Sequence, residues 1–196
     1  MRNVTQGAIR ASIAAITLAG LAACATEGEQ SSATAENDAQ CITEEEVVNA
    51  QKAWGDGIVA IGKVYSEEGD YTAAATDHIN KFYGYDLDGV VLFKPTLAAD
   101  EQFRGSFDGA LSYFVGGNET FKEDKGFAIT PWTAVRWENA GITNSSCDMA
   151  VAMGNYWFTP AEGDEIKVEY TIGYVKDDEG NLRMVVHKSS LPYSGA

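Results

Sequence analysis

Apolar residues recur at helical spacing in the first half of the chain. Thr43 and Glu46 form a capping box. The apolar residues that follow are spaced by seven, four, three and four positions: Val47, Trp54, Ile58, Ile61 and Tyr65. This spacing predicts a helix over about 44–66. Asp70 is predicted to cap a second helix, which Gly84 ends.

The pattern then changes to that of strands. A short apolar run at 90–93 is stopped by Pro95, and 106–115 is expected to be a short helix ended by Gly116 and Gly117. Four longer strands are predicted over 127–139, 149–159, 165–176 and 182–191, with a hairpin turn at 177–181 between the last two.

Two helices, a strand pair, a short helix and four curved strands are an α+β pattern. This order matches the cone of the nuclear-transport-factor-2-like (NTF2-like) fold, in which a curved antiparallel sheet wraps around helices and leaves a pocket at its mouth. The fold hosts enzymes and pure binders, so it does not define a function.

The N-terminus is predicted to be an export signal, with domain bounds of 1–23 for the signal, 24–40 for a flexible tether and 41–196 for the NTF2-like domain. Arg2 and Arg10 precede a run of small and apolar residues at 11–23, which is too short to span a bilayer. No acidic residue occurs before Glu27. The run ends Leu-Ala-Ala-Cys at 21–24, which resembles the lipobox of bacterial lipoproteins. The alternative is an ordinary signal with an incidental cysteine.

Lipidation of Cys24 would hold the protein on a membrane, facing the periplasm or the cell exterior, without crossing it. The tether from 25 to 40 is polar and poor in apolar residues. Removing residues 1–23 removes two arginines and no acid, so the charge falls from −15 to −17. This acid excess argues against a nucleic-acid partner and against electrostatic docking on anionic lipid.

In an exported chain the two remaining cysteines, Cys41 and Cys147, are expected to form a disulfide. The alternative is a metal site that they share with His187. The chain has only two histidines, which excludes a three-histidine zinc site within one chain.

The final strand carries the most informative polar residues. Alternation places His187 and Ser189 on one face, together with Val185 and Leu191, while Lys188 and Ser190 point to the other. Because a lysine is rarely buried unpaired, the face of His187 is predicted to line the pocket. The alternative is a half-buried strand end with satisfied polar side chains. Further candidates are Tyr170, Tyr174 and His78, each of which is by default a structural residue.

Several segments resemble the iota-class carbonic anhydrases, over about residues 41–193. They are 53–62, 92–96 (Leu-Phe-Lys-Pro-Thr), 102–104, 110–117, 123–127 and 187–192 (His-Lys-Ser-Ser-Leu-Pro). The resemblance implies the fold given above, a homodimer, and hydration of CO2 to bicarbonate without a metal or any other cofactor. The family's terminal motif is usually His-His-Ser-Ser, and here Lys188 stands at the second His.

The resemblance also implies the site. Metal-free members surround bicarbonate with a Thr, a Tyr, and a His and Ser of the last strand, which correspond to Thr96, Tyr113, His187 and Ser189. Ser190 is the alternative serine if the register differs by one residue. Phe93 and Phe114 are expected to provide apolar walls that suit CO2.

Two other functions remain open at this stage: a non-catalytic module that binds a small anion in the same pocket, and an assembly lipoprotein with a vestigial pocket. Large residues on both faces of the sheet also predict a covered outer face and an isologous dimer. Trp132 is expected opposite Phe127 and Trp137, and Trp157 opposite Tyr156 and Phe158.

Overall fold

The computed structural model describes residues 41–195. The predicted signal at 1–23, the lipidated Cys24 and the tether at 24–40 lie outside the described residues. Helix α1 spans Glu44–Ser66, and its capping box forms as predicted, with the Thr43 hydroxyl accepting from the Glu46 N–H. Helix α2 spans Tyr71–Phe82 and begins at the Asp70 cap.

The remaining elements are strand β1 (Leu92–Lys94), helix α3 (Phe107–Val115) and strands β2 (Trp132–Thr143), β3 (Ala150–Pro160), β4 (Ile166–Lys176) and β5 (Leu182–Ser190). The five strands form one sheet in the order β1-β5-β4-β3-β2. Strands β2 to β5 are an antiparallel meander, and β1 pairs with β5 in parallel. The predicted α+β class is confirmed.

The helices pack on one face of the sheet and bury its inward side chains. Trp54 of α1 is 3% exposed and contacts aromatic rings of β2 and β3. Gly55 permits the close approach of α1 to β2, since a Cβ there would lie 2.9 Å from the Cβ of Val135. Gly55, which weakens α1 as an isolated helix, therefore allows it to pack on the sheet.

Two strand predictions were wrong in detail. Strand β2 begins at Trp132 and not at 127, because the N–H groups of Phe127 and Ala128 donate to the carbonyls of Tyr113 and Phe114 at the end of α3. A strand pair was also predicted before α3. Within the described residues only one strand, β1, precedes α3, and it pairs with β5.

β-Bulges change which side chains share a face. An irregularity between Trp132 and Ala134 puts Trp132 on the inner face with Trp137, whereas simple alternation placed them on opposite faces. A second lies in β5, where Tyr174 pairs with Met184 and Gly173 with Val186. Met184 is therefore buried beside the His187 face, and the assignment of Val185 to that face was wrong.

The predicted disulfide between Cys41 and Cys147 is present. It joins the start of the folded domain to the turn between β2 and β3. Within residues 41–195, no helix is both long and apolar enough to cross a membrane.

Candidate active site

A cavity of about 240 Å³ lies between the helices and the concave face of the sheet. Its exposed lining residues, Leu97, Ile166 and Leu191, mark its open side, where β4 begins and β5 ends. Its walls are almost entirely aromatic and aliphatic, and its polar atoms come from a few side chains. The lining residues are Trp54, Tyr83, Phe93, Thr96, Leu97, Tyr113, Phe114, Phe127, Trp132, Tyr156, Phe158, Ile166, Val168, His187, Ser189 and Leu191.

Strand β5 directs His187 and Ser189 into the cavity, as the alternation predicts. Both are buried, at 2% and 3% exposure, and they pair with Ile172 and Tyr170 of β4. Lys188 and Ser190 face the other side, where the Lys188 ammonium donates to the Ser190 hydroxyl at 2.7 Å. Ser190, the alternative serine, therefore does not line the cavity. The replacement at Lys188 removes no group from the cavity either.

Strand β1 places Thr96 beside Ser189. Phe93 of β1 pairs with His187 and stacks on its ring, with 5.2 Å between ring centroids. The strand stops before Pro95, and the Thr96 hydroxyl then donates to the Ser189 Oγ at 2.9 Å. This contact joins the two segments that the sequence could relate only through the family resemblance.

A carboxylate holds the loop after Thr96. Glu123 accepts the N–H groups of Ala99, Asp100 and Glu101 at 2.8–3.1 Å. These bonds, the Ala99 N–H first, lower the pKa of Glu123 to about 2. The loop that carries Thr96 is thereby anchored to the segment after α3.

Helix α3 supplies Tyr113 and Phe114. Its position depends on a buried ion pair, in which Arg104 donates to Asp124 at 2.9 Å and Asp124 also accepts from Ser112 of α3 at 2.6 Å. Burial raises the pKa of Tyr113 to about 12, so its hydroxyl remains a neutral donor.

His187 is held by two tyrosines. The Tyr83 hydroxyl lies 2.8 Å from Nδ1, and the Tyr156 hydroxyl lies 3.5 Å from Nε2. Burial lowers the pKa of His187 to about 3, which keeps the imidazole neutral near pH 7. The neutral ring can accept a proton, but no carboxylate within residues 41–195 lines the cavity beside it to stabilise the charged form.

Tyr156 and Tyr83 were missed by the sequence analysis. Besides approaching His187, the Tyr156 hydroxyl interacts with Ser189 and Thr96, and burial raises its pKa well above the usual value. The hydroxyls of Thr96, Ser189 and Tyr156 and the imidazole of His187 thus form one connected polar chain. The alternation of side chains along β3 could have placed Tyr156 on the concave face of the sheet. Nothing in the sequence, however, marks Tyr156 rather than Tyr170 of β4 as a residue of the cavity.

The other sequence candidates lie elsewhere. Tyr170 donates to Asn139 at 2.5 Å and interacts with Gln51, away from the cavity. Tyr174 is buried in the core and does not line it. His78 packs between α1 and α2 against Phe82, and burial lowers its pKa to about 3.

Among the described residues, no Asp, Glu, Lys or Arg side chain lines the cavity. In the part of the chain that the structure describes, no group of three or more His, Cys, Asp or Glu residues is arranged to hold a metal ion. The arrangement can hold a small, largely apolar molecule and surround its oxygen atoms with neutral hydrogen-bond donors and acceptors.

A cone-shaped α+β domain with such a pocket is an NTF2-like small-molecule site, and comparison with known proteins specifies the family. Residues 45–191 match the family described as metal-independent carbonic anhydrase, and the chain belongs to that family. A curated relative of the same description, from Nostoc sp. (strain PCC 7120), is 46% identical over 157 residues, which cover 79% of this chain and 76% of the relative.

Solved structures agree with this assignment. The iota-carbonic anhydrase from a cyanobacterium, complexed with bicarbonate, matches with a TM-score of 0.76 and 45% identity over 80% of this chain and 96% of that chain. An association domain of the calcium/calmodulin-dependent protein kinase II type from Xanthomonas campestris has a TM-score of 0.51 at 20% identity, over 76% and 88% of the two chains, and shares the fold alone. The resemblance to the iota class and the predicted fold are confirmed.

Proposed function

We propose that this protein catalyses the reversible hydration of CO2 to bicarbonate in this cavity, without a metal ion. The observation that carries the proposal is the polar chain of Thr96, Ser189, Tyr156 and His187 in an otherwise apolar cavity. The bicarbonate complex of the cyanobacterial relative supports the same substrate.

The walls and the hydroxyls have different tasks in this proposal. Phe93 and Phe114 give nonpolar CO2 an apolar environment next to the polar chain. The hydroxyls of Thr96, Ser189 and Tyr113 hold the attacking water and donate to the CO2 oxygens as they become negatively charged. Donors fixed in advance stabilise that charge without reorganising during the reaction.

The proton must leave the water as it attacks, because bulk water has a pKa of about 15.7 and no metal lowers it here. The water oxygen forms the bond to the CO2 carbon, its O–H bond breaks, and the proton passes through the hydroxyl chain to the Nε2 of His187. The charged imidazole then lies beside the new bicarbonate anion, which offsets the cost of burying it. Release of the proton through the cavity mouth restores neutral His187.

Stopped-flow CO2 hydration on chelator-treated protein tests the proposal. We expect a rate above the uncatalysed level that added Zn²⁺ does not change, and its loss in Thr96→Ala. An uncatalysed rate with and without Zn²⁺ would refute the enzyme, while activity that is lost on chelation and restored by metal would refute only the metal-free mechanism.

A second function is favoured by one observation, the lowered pKa of His187. A histidine that resists protonation is a weak base, and the same cavity would then bind a small anion without turning it over. Bicarbonate binding without CO2 hydration would identify this non-catalytic module.

We propose further that the protein is exported and held by a lipid on Cys24, facing the periplasm or the cell exterior. The lipobox-like sequence at 21–24 supports this, and the disulfide between Cys41 and Cys147 suits an oxidising compartment. Mass spectrometry of the N-terminal peptide from membranes should find diacylglyceryl-cysteine at position 24. An unmodified N-terminus elsewhere would contradict the anchor.

We also propose an isologous dimer through the outer face of the sheet. Met153 is 55% exposed there, and the half-buried Trp157 lies under the guanidinium of Arg136. A chain starting at residue 41 should sediment as a dimer at micromolar concentration, and a monomer would count against this interface.

A further inference from the structure

The cavity is larger than the proposed reaction requires. Its volume is about 240 Å³. One water occupies about 30 Å³ in the liquid, so the five non-hydrogen atoms of bicarbonate and one water need at most about 150 Å³. At least a third of the cavity volume is therefore not needed for the reactants of the proposed function.

The open side of the cavity is apolar. The polar groups are at the closed end, where His187, Tyr156 and Ser189 are each at most 3% exposed. The rim is formed by Leu97, Ile166 and Leu191, which are 68%, 43% and 53% exposed although all three are aliphatic. An apolar rim open to water beside a pocket indicates contact with an apolar group of a ligand.

We propose that the cavity binds small amphipathic monocarboxylates, such as hexanoate and benzoate, in competition with bicarbonate. This inference rests on the proposed function for the anion-binding end alone. A carboxylate, R–COO⁻, has the same planar pair of oxygens as bicarbonate, with a carbon group in place of the hydroxyl. The oxygens would take the donors at the closed end, and the R group would fill the space toward the rim.

The sizes agree with this ligand class. A benzene molecule fits an apolar protein cavity of about 150 Å³, which leaves about 90 Å³ here for the three atoms of a carboxylate. Among the described residues the binding end has neutral donors and no cation, so it holds a carboxylate less tightly than a cationic site would. The apolar group must then supply the additional affinity, at up to about fourfold for each methylene that is buried.

Tryptophan fluorescence provides a direct test, since Trp54 and Trp132 line the cavity. Titration with acetate, butyrate, hexanoate and benzoate should give an affinity that rises at least tenfold from acetate to hexanoate. Added bicarbonate should weaken the apparent affinity for hexanoate, and 1-hexanol should bind at least tenfold more weakly. Equal affinities for acetate and hexanoate, or for hexanoate and hexanol, would overturn the proposal.

A matched pair of variants tests where the apolar group of the carboxylate binds. Ile166→Asn makes the rim polar and should lower the ratio of hexanoate to acetate affinity by at least threefold. Val48→Asn, on the exposed side of α1 and 43% exposed like Ile166, should leave that ratio unchanged. Equal ratios in both variants would refute the placement. Chain-length-dependent binding without CO2 hydration would refute the proposed enzyme and retain this site, whereas hydration without the chain-length effect would do the reverse.

Discussion

Replacing Tyr156 with phenylalanine removes one oxygen atom from the middle of the polar chain. The ring is 2% exposed, and its hydroxyl lies 3.5 Å from the Nε2 of His187 while also interacting with Ser189 and Thr96. Loss of one donor fixed in a catalytic site commonly reduces kcat by about 10²–10³, or roughly 2.7–4 kcal/mol. We expect a reduction of that size in Tyr156→Phe, with a much smaller change in KM.

Tyr170→Phe is the matched control. Tyr170 is also 2% exposed, and its ring packs against that of Tyr156 with centroids 5.3 Å apart. Its hydroxyl bonds to Asn139 and Gln51, which still hold each other at 2.9 Å when it is removed. Each variant loses one buried hydroxyl, so each should lose about 1 kcal/mol of stability.

Stopped-flow hydration with a pH indicator, together with urea unfolding of both variants, separates catalysis from folding. A rate within threefold of the parent in Tyr156→Phe, or equal losses of rate in both variants, would refute the role given to Tyr156.

The remaining predictions concern the register of β5, the effect of pH and the disulfide. Ser189→Ala should reduce the hydration rate by about 10²–10³ while Ser190→Ala changes it only a few-fold, and the reverse result would put the opposite strand face in the site. Because the pKa values of His78 and His187 are about 3 when folded and about 6.5 when unfolded, stability should fall as pH drops from about 6.5 toward 3. Each histidine contributes about 2 kcal/mol of this loss by pH 5, and equal urea midpoints at pH 7.5 and 5 would contradict it. Reduction of Cys41–Cys147, which are 106 residues apart, should lower stability by roughly 4–5 kcal/mol, and an unchanged midpoint under reductant would count against that value.

The helices and the inward direction of His187 and Ser189 could be predicted because their signals are local. The capping box at Thr43 and the alternation around His187 depend on residues a few positions apart. The bulges were not predictable in this way. Whether Trp132 faces inward depends on one extra residue in a pairing with β3, and the sequence of β2 alone does not reveal it.

The site was predicted in part, for a related reason. Thr96 and Ser189 are 93 positions apart, and their contact results from the parallel pairing of β1 with β5. The family resemblance supplied that relation, whereas spacing could not. Tyr83 and Tyr156 belong to no segment that carried the resemblance, so their approach to His187 emerged only when the chain was folded.

The disulfide fixes Cys41, where the predicted tether meets the domain, at the end of the sheet opposite the cavity mouth. Cys147 lies in the turn at the Thr143 end of β2, whereas the mouth lies at the Trp132 end, beside Pro160 and Ile166. The nine steps along β3 between these ends span about 30 Å. If a lipid on Cys24 holds the chain to a membrane, the domain is attached by its far end. The mouth is then on the side of the domain away from the attachment point, so the attachment itself does not cover it.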